Sequence, residues 1–344
     1  MAGVNIRPLL SSCLPRYSAR RVSPTNPRIL PYGAAAIAEA CAVIRAGGCV
    51  AVPTETVYGL AADASDSRAV AGIYAAKGRP SFNPLIVHVP DLEAAEIIAM
   101  FDDAARDLAR RFWPGPLTLV LPLRAGAGIA SLVTAGLDTI AIRVPDHRAM
   151  QALLDATGLP LAAPSANASG SISPTRAEHV AKSLAGRIPL VIDDGPTSAG
   201  IESTIVQGQT ILRPGPLSER DLFSGEGRNP ALQRESLGDA TLRPSPEHRV
   251  VAPGQLDSHY APGKSLRLNA TVRREGEWLI GFGAVPGDDT LSIRGDLVEA
   301  AANLFDALHR GDASTAAAIA VAPVPETGIG VAINDRLRRA AFPK

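Results

Sequence analysis

From Ile37 to Gly215 the chain alternates short apolar runs with segments of helical periodicity, and that alternation limits it to an α/β architecture. The segment AIAEACAVIRAGG places Ile37, Ala40, Cys41 and Ile44 on one face and stops at Gly47 and Gly48. CVAVPT then reads as a buried strand. SRAVAGIYAAKG is a second helix, with Val70, Ile73, Tyr74 and Lys77 at helical spacing and Gly78 as its stop. PLIVHV is a strand, followed by helices near 91–99 and 103–112. PLTLVLPL and TIAIRVP are strands, HRAMQALLDATG a helix, and LPLAAPSAN a strand with a polar end. In SPTRAEHVAKSLAG, Thr175 and Glu178 have capping-box spacing at the start of a further helix. IPLVIDDG, ESTIV and TILRPG close the domain, residues 34–215, as strands. Some neighbouring strands have no helix between them, so the sheet is expected to be mixed and open.

The pattern changes after this domain. Residues 214–263 hold seven prolines and six glycines with little hydrophobic periodicity, so 216–263 reads as a long linker. Beyond it, SLRLNA, EWLIGFG and AAAIAVAPV read as strands, and GDLVEAAANLFDALHRG and TGIGVAINDRLRRAA as helices, which makes 265–344 a small second α/β domain. At the other end, residues 1–38 contain no Asp or Glu but include Arg7, Arg16, Arg20, Arg21 and Arg28. That composition suits an organelle transit peptide. The reading preferred here is a disordered extension over residues 1–30 on a cytoplasmic protein. No run of 18 apolar residues is present, so no membrane span is expected.

Charge and cysteine content exclude several functions. Lys plus Arg and Asp plus Glu are 34 each, so the chain as a whole carries no basic field for nucleic acid, although a local patch stays open. Cys13, Cys41 and Cys49 form neither a disulfide framework nor a zinc pattern; Cys41 and Cys49 read as small buried residues. Asp193 and Asp194 precede Gly195-Pro196 and read as a turn rather than a metal pair. His147, His179 and His309 lie on helices without evident partners and read as surface residues.

Polar residues cluster where strands end, which is where ligands collect in open α/β sheets. PTETVYG offers Thr54, Glu55, Thr56 and Tyr58; KGRPSFNPLIVH offers Lys77, Arg79, Asn83 and His88. TIAIRVP contributes Thr139 and Arg143, APSANASGSISPT contributes Ser165, Asn167 and Ser173, and ESTIV and LRPG contribute Ser203, Thr204 and Arg213. Lys77, Arg79, Arg143 and Arg213 would together suit an anion with spread charge, because the guanidinium fork matches phosphate and carboxylate oxygens. The alternative is a solvated rim of surface ion pairs. There is no Walker loop and no dinucleotide fingerprint after the first strand, so a nucleotide site here must be of another kind.

These motifs carry a resemblance. PTETVYGL, KGRP…NPLIVH, FWPGPLTLVL, IAIRVP, the APSAN segment, IESTIV and LRPG, in this order, resemble the YrdC-domain family; VAPGQLDSHYAP and GIGVAINDRLRRAA resemble its longer, two-domain form. The similarity covers about residues 30–344. Ala61 stands where the family more often has glycine, and the usual basic residue before His259 is missing. The resemblance implies a YrdC-like open twisted mixed sheet with helices, followed by a small Rossmann-like C-terminal domain. It also implies a nucleotidyltransferase that joins L-threonine, bicarbonate and ATP into threonylcarbamoyl-adenylate, with Mg²⁺ on the triphosphate and pyrophosphate as the second product. The adenylate then serves the tRNA threonylcarbamoyl-transfer complex at adenosine 37, with a tRNA contact as a further expectation.

Residue by residue, the resemblance assigns Thr56, His88, Arg143, the backbone at Ala163, and Ser203 to threonine. It assigns Arg79, Asn83, Thr139, Ser165, Ser173, Arg213, His259 and Tyr260 to ATP, with Lys77 beside the phosphates. Lys77, Arg79 and Arg143 are the expected catalytic cations. No metal-ligating residue is expected. Residues 251–262 are a candidate lid over the nucleotide. Two rival functions remain at this level. One is a carbamoyl-adenylate chemistry like that of hydrogenase maturation factors, whose zinc-finger C-x-x-C is missing here; the other is an RNA-binding module.

Overall fold

The computed structural model describes residues 26–224 and 259–342. Ten strands form the first sheet: β1 (Arg28–Pro31), β2 (Val50–Pro53), β3 (Tyr58–Asp63), β4 (Ile86–His88), β5 (Leu117–Pro122), β6 (Thr139–Arg143), β7 (Leu161–Ala162), β8 (Leu190–Asp193), β9 (Thr204–Gln207) and β10 (Thr210–Arg213). Their spatial order is β1-β8-β2-β3-β7-β4-β6-β5-β9-β10. Four pairs are parallel (β1 with β8, β2 with β8, β4 with β6, β5 with β9) and the other five antiparallel, so the sheet is mixed, as the missing crossover helices required.

Eight helices accompany it: α1 (Ala34–Arg45), α2 (Ser67–Lys77), α3 (Leu92–Ile98), α4 (Asp103–Phe112), α5 (Ser131–Thr134), α6 (Arg148–Thr157), α7 (Ala177–Ser183) and α8 (Glu219–Phe223). They cover both faces. Val50 and Val52 of β2 pack with Ile37, Ile44, Met150 and Leu153 on one side. Ala51, between them, packs with Leu60, Val70 and Ile73 on the other. Side chains alternate across a strand, so burial on both faces explains the unbroken apolar run CVAV. Gly78 ends α2 in the left-handed conformation, as its position predicts.

Three expectations need correction. The boundary at residue 34 is too late: Arg28–Pro31 is a sheet-edge strand pairing Leu190–Asp193, so the ordered domain begins within the stretch read as an extension. Residues 1–25 lie outside the described residues. No strand is expected between CVAVPT and the next helix, whereas Tyr58–Asp63 forms one and makes a hairpin with CVAVPT: Pro53 pairs with Tyr58 and Val50 with Ala61. The tight link is closed by the Thr54 hydroxyl, which donates to the Val57 carbonyl at 2.7 Å. Finally, Thr175 does not cap α7. The helix starts at Ala177 with Arg176 at the N-cap and no side-chain cap. Thr175 is held elsewhere, its carbonyl accepting from Thr197 N–H and its own N–H donating to His179 Nδ1.

The second domain is a four-stranded parallel sheet in the order β11-β14-β12-β13: β11 (Ser265–Arg267), β12 (Glu277–Gly281), β13 (Asp289–Thr290) and β14 (Ala318–Val321). Helices α9 (Leu297–Ala313) and α10 (Gly330–Ala340) complete it. β13 escaped the sequence reading because it is two residues long. The two domains share a continuous apolar contact, in which Val57, Ile172 and Ile201 of the first join Tyr260, Phe305, Leu308 and Ile333. His179 and His309, read as surface residues, stack across this interface with ring centroids 3.7 Å apart. His309 Nε2 also lies 3.1 Å from the Ser173 carbonyl, and Asp306 faces both His179 and Arg176. His147 caps α6 instead, accepting from Ala149 N–H.

Candidate active site

One cleft gathers residues from eight separate segments. Thr54, Thr56, Gly59, Arg79, His88, Arg143, Ala163, Ser165, Glu202, Ser203, Arg213, His259 and Tyr260 line it. It encloses about 550 Å³ including its mouth, but its central void is only about 40 Å³. A void that small holds a few waters, so larger ligands require lining groups to move outward.

The threonine-rich turn forms one wall. The Arg143 Nη1 donates to Thr56 Oγ1 at 2.9 Å and its Nε to the Gly115 carbonyl at 3.1 Å. Its Nη2 lies 2.5 Å from Glu55 Oε1, with both side chains at most one-tenth exposed. This is a buried ion pair rather than an aligned hydrogen bond. β4 and β6 run parallel in register, which sets His88 beside Arg143. Burial, then the neighbouring guanidinium, pushes the His88 imidazole down to about 3, so it is neutral at physiological pH. Its Nδ1 is buried with no hydrogen-bond partner among the described residues. Ser203 shares a 2.8 Å hydrogen bond with Thr118. Gly59 belongs to the hairpin and faces the cleft; a Cβ there would sit 3.3 Å from Ala163 Cβ, so glycine keeps this wall open.

The opposite wall is cationic. Arg79 braces its own turn, donating to the carbonyls of Asn83 and Pro84. Burial brings its guanidinium down to about 10, which still leaves it charged. Arg213 donates to the Ser203 carbonyl at 2.9 Å and to its hydroxyl at 3.1 Å. His259 and Tyr260 close the top. Burial, followed by Arg79 and Lys77, keeps the His259 imidazole neutral. His259 Nδ1 and Tyr260 Oη are buried without hydrogen-bond partners among the described residues. Such atoms cost about 1–3 kcal/mol each when left unmade, so they are met by water or by a bound ligand. Of the candidate lid, residues 251–258 lie outside the described residues.

Four predicted residues stand back from the cleft. Lys77 lies directly behind Ser165, its ammonium donating to the Ser165 carbonyl and, at 2.6 Å, to that of Asn167. It therefore holds the SAN segment in place instead of facing the cavity, and burial moves its pKa well below the ordinary lysine value. Ser173 is buried behind Glu202, to which its hydroxyl donates at 2.5 Å. The Asn83 side chain is buried beneath the Arg79 turn with its amide unpartnered. Thr139 begins β6, four residues before Arg143, which is about 13 Å along an extended strand. The sequence reading missed Glu202, which lines the cleft, and Arg336, which pairs with it from behind. Glu202 sat inside the quoted IESTIV and Arg336 inside the quoted GIGVAINDRLRRAA, but neither segment's own pattern points to a partner in the other. Asp193 accepts from Gly195 N–H, and Asp194 pairs with Arg148, so that pair is a turn as read.

Fold and cleft together define a two-domain α/β protein whose site, formed by the first domain and covered by His259 and Tyr260, combines a neutral, hydroxyl-rich wall with a cationic one. Residues 42–215 match the Sua5/YciO/YrdC family, described as "Telomere recombination", and residues 229–342 match the family described as "Threonylcarbamoyl-AMP synthase, C-terminal domain". The chain belongs to this family in its two-domain form. It is similar to the threonylcarbamoyl-AMP synthases of Bacillus subtilis (41% identity, 89% of this chain and 92% of the relative) and Pyrococcus abyssi (40%, 88% and 93%). It also superposes on the crystal structure of P. abyssi Sua5 complexed with L-threonine, with a TM-score of 0.77 at 37% identity, covering 91% of this chain and 97% of that one.

Proposed function

We propose that this protein synthesises L-threonylcarbamoyl-AMP from L-threonine, bicarbonate and ATP, releasing pyrophosphate. The observation that supports this most is the meeting of the two walls in one cleft that leaves His88, His259 and Tyr260 with buried, unmatched polar atoms. A zwitterionic amino acid with a hydroxyl suits the first wall. Arg143 takes its carboxylate, while Thr56, His88, Ser203 and the Ala163 backbone take its remaining polar groups. A site matched this way rejects analogues that leave a buried partner unpaired. The polyphosphate suits the second wall, with Arg79, Ser165, Arg213, His259 and Tyr260 facing it. Asn83, Ser173 and Thr139 border the nucleotide farther out, and Lys77 acts through the SAN segment.

The chemistry needs positioning and positive charge more than proton transfer. The ammonium of the zwitterion first gives its proton to solvent; the neutral amine then attacks the bicarbonate carbon, and water leaves to give a carbamate. A carbamate oxygen then attacks the α-phosphorus, and the bond to pyrophosphate breaks. Arg79 and Arg213 stabilise the charge gathered there, and holding three reactants together supplies much of the remainder. No cluster of acidic, His or Cys side chains among the described residues could hold a metal. Mg²⁺ arriving with ATP would take its ligands from phosphates and water. The carbamate is labile in water, so the exclusion of solvent by groups such as His259 and Tyr260 over the cleft would protect it. The product would pass to a separate complex that modifies adenosine 37 of tRNA, which implies the compartment holding both, in our reading the cytoplasm. No helix among the described residues is long and apolar enough to cross a membrane.

The test is pyrophosphate release from ATP with threonine or bicarbonate omitted in turn. Release that requires both supports the reading. Release that ignores threonine refutes it.

A further inference from the structure

Arg336 is among the largest fully buried side chains and lies on α10 of the second domain, yet apart from its neighbour Asp335 the groups it bonds belong to the site or its border. Its Nε donates to Glu202 Oε2 at 3.1 Å and its Nη2 to the Glu202 carbonyl at 3.4 Å. Its Nη1 donates to the Pro214 carbonyl, next to Arg213, at 2.6 Å and to Asp335 Oδ2 at 3.0 Å. The guanidinium carbon lies 5.5 Å from the centroid of the Tyr260 ring. The second oxygen of Glu202 accepts from Ser173. The same helix also holds the backbone of the closing segment, because His259 N–H donates to the Arg339 carbonyl.

Burying a guanidinium costs several kcal/mol before any pairing, and an apolar side chain of similar volume would pack there with less cost. Stability alone therefore gives no reason for arginine. The charge pattern does. Glu202 lines a cleft whose other charged lining groups are Arg79, Arg143 and Arg213, with Arg143 already paired to Glu55 and Lys77 just behind, and its carboxylate is within electrostatic reach of Lys77 and Arg213. Without a cation of its own, Glu202 would turn to these groups and cancel the field that a polyphosphate requires.

We propose that Arg336 is a positioning residue for the nucleotide side of the site: it neutralises Glu202 and fixes Tyr260, so that the second domain sets the affinity for ATP without touching it. This rests on the function proposed above. It also assigns the C-terminal domain a role, since the arginine reaches the cleft only when the two domains are docked.

The experiment measures threonine-dependent pyrophosphate release against ATP and against threonine for Arg336→Met and for Arg336→Met combined with Glu202→Gln, with thermal melts to establish folding. In Arg336→Met, an uncompensated Glu202 is expected to raise the ATP KM about tenfold or more while the threonine KM changes less than about threefold. Adding Glu202→Gln restores charge balance and is expected to return the ATP KM to within about threefold of wild type. A purely structural arginine would lower the amount of active enzyme, hence kcat, and leave both KM values in place. Unchanged ATP KM in the single variant, equal rises for both substrates, or a double variant as impaired as the single overturns the proposal. Should the single variant fail to fold, the double decides: near-native ATP KM supports the proposal, and misfolding or a tenfold rise overturns it. Wild-type enzyme that released no threonine-dependent pyrophosphate would instead refute the underlying function.

Discussion

The ion pair between Arg143 and Glu55 allows folding and substrate binding to be separated. Arg143→Gln removes the cation and leaves Glu55, a buried carboxylate, without an ion-pair partner among the described residues. Breaking a buried pair this way costs roughly 3–5 kcal/mol of stability. Changing Glu55→Gln as well replaces the ion pair by two amides of nearly the same size, and such replacements are close to neutral, within about 1–2 kcal/mol. Threonine binding should not follow the same course. If Arg143 holds the substrate carboxylate, both variants lose a charge-assisted hydrogen bond worth about 1.5–3 kcal/mol, which is roughly a 10- to 150-fold rise in threonine KM. The assays are urea unfolding at pH 7.5 (about the middle of the stable range) and pyrophosphate release titrated separately with threonine and ATP. The expected pattern is a large loss of stability in the single variant, recovery in the double, and a raised threonine KM in both with ATP KM little changed. A double variant with wild-type threonine KM, or equal effects on both substrates, refutes the reasoning.

Lys77→Met leaves the Ser165 and Asn167 carbonyls without their donor, so the SAN segment loosens; ATP KM should rise and thermal stability fall, whereas unaltered ATP KM would show that the lysine is only packing. The His88 and His309 rings are both held neutral, pushed down to about 3 from an ordinary value of 6.5, mainly by burial. Their contribution is therefore complete above pH 6.5 and is lost as pH falls toward 3, at up to about 1.4 kcal/mol per pH unit for each ring. Urea unfolding at a series of pH values should show this slope, and His309→Gln should make it shallower; an identical slope would exclude His309 as a source. Gly200 has φ +71° and lies against α9, where an added Cβ would stand 2.4 Å from the Ala301 carbonyl oxygen. Gly200→Ala should cost roughly 2–5 kcal/mol through strain and overpacking, and weaken domain docking. A melt within a degree or two of wild type would contradict that packing.

Much of the architecture was legible because local periodicity and burial agree. β2 is apolar at every position since helices cover both faces of the sheet, and α2 shows its buried face at Val70, Ile73 and Tyr74. The expected site was legible as motifs, and the structure brings Thr56, Arg79, His88, Arg143, Ser165 and Arg213 around one cleft. Where reading failed, a tertiary contact overrode a local signal. Thr175 has the right spacing to cap a helix, but Thr197 and His179 take its backbone groups instead. His179 and His309 look solvent-facing on their helices until the second domain arrives to stack them.

By itself, the sequence determined the order of strands and helices, the break between two domains, and which segments end in polar groups, because these follow from hydrophobic period and turn chemistry along a few neighbouring residues. Which of those groups face a ligand was decided only in three dimensions. Lys77 turns to carbonyls behind Ser165, Glu55 pairs with Arg143, and Arg336 crosses from another domain to hold Glu202. A side chain's partner depends on which distant backbone or charge folding brings within about 3 Å, and nothing in its own neighbourhood of the chain encodes that distance.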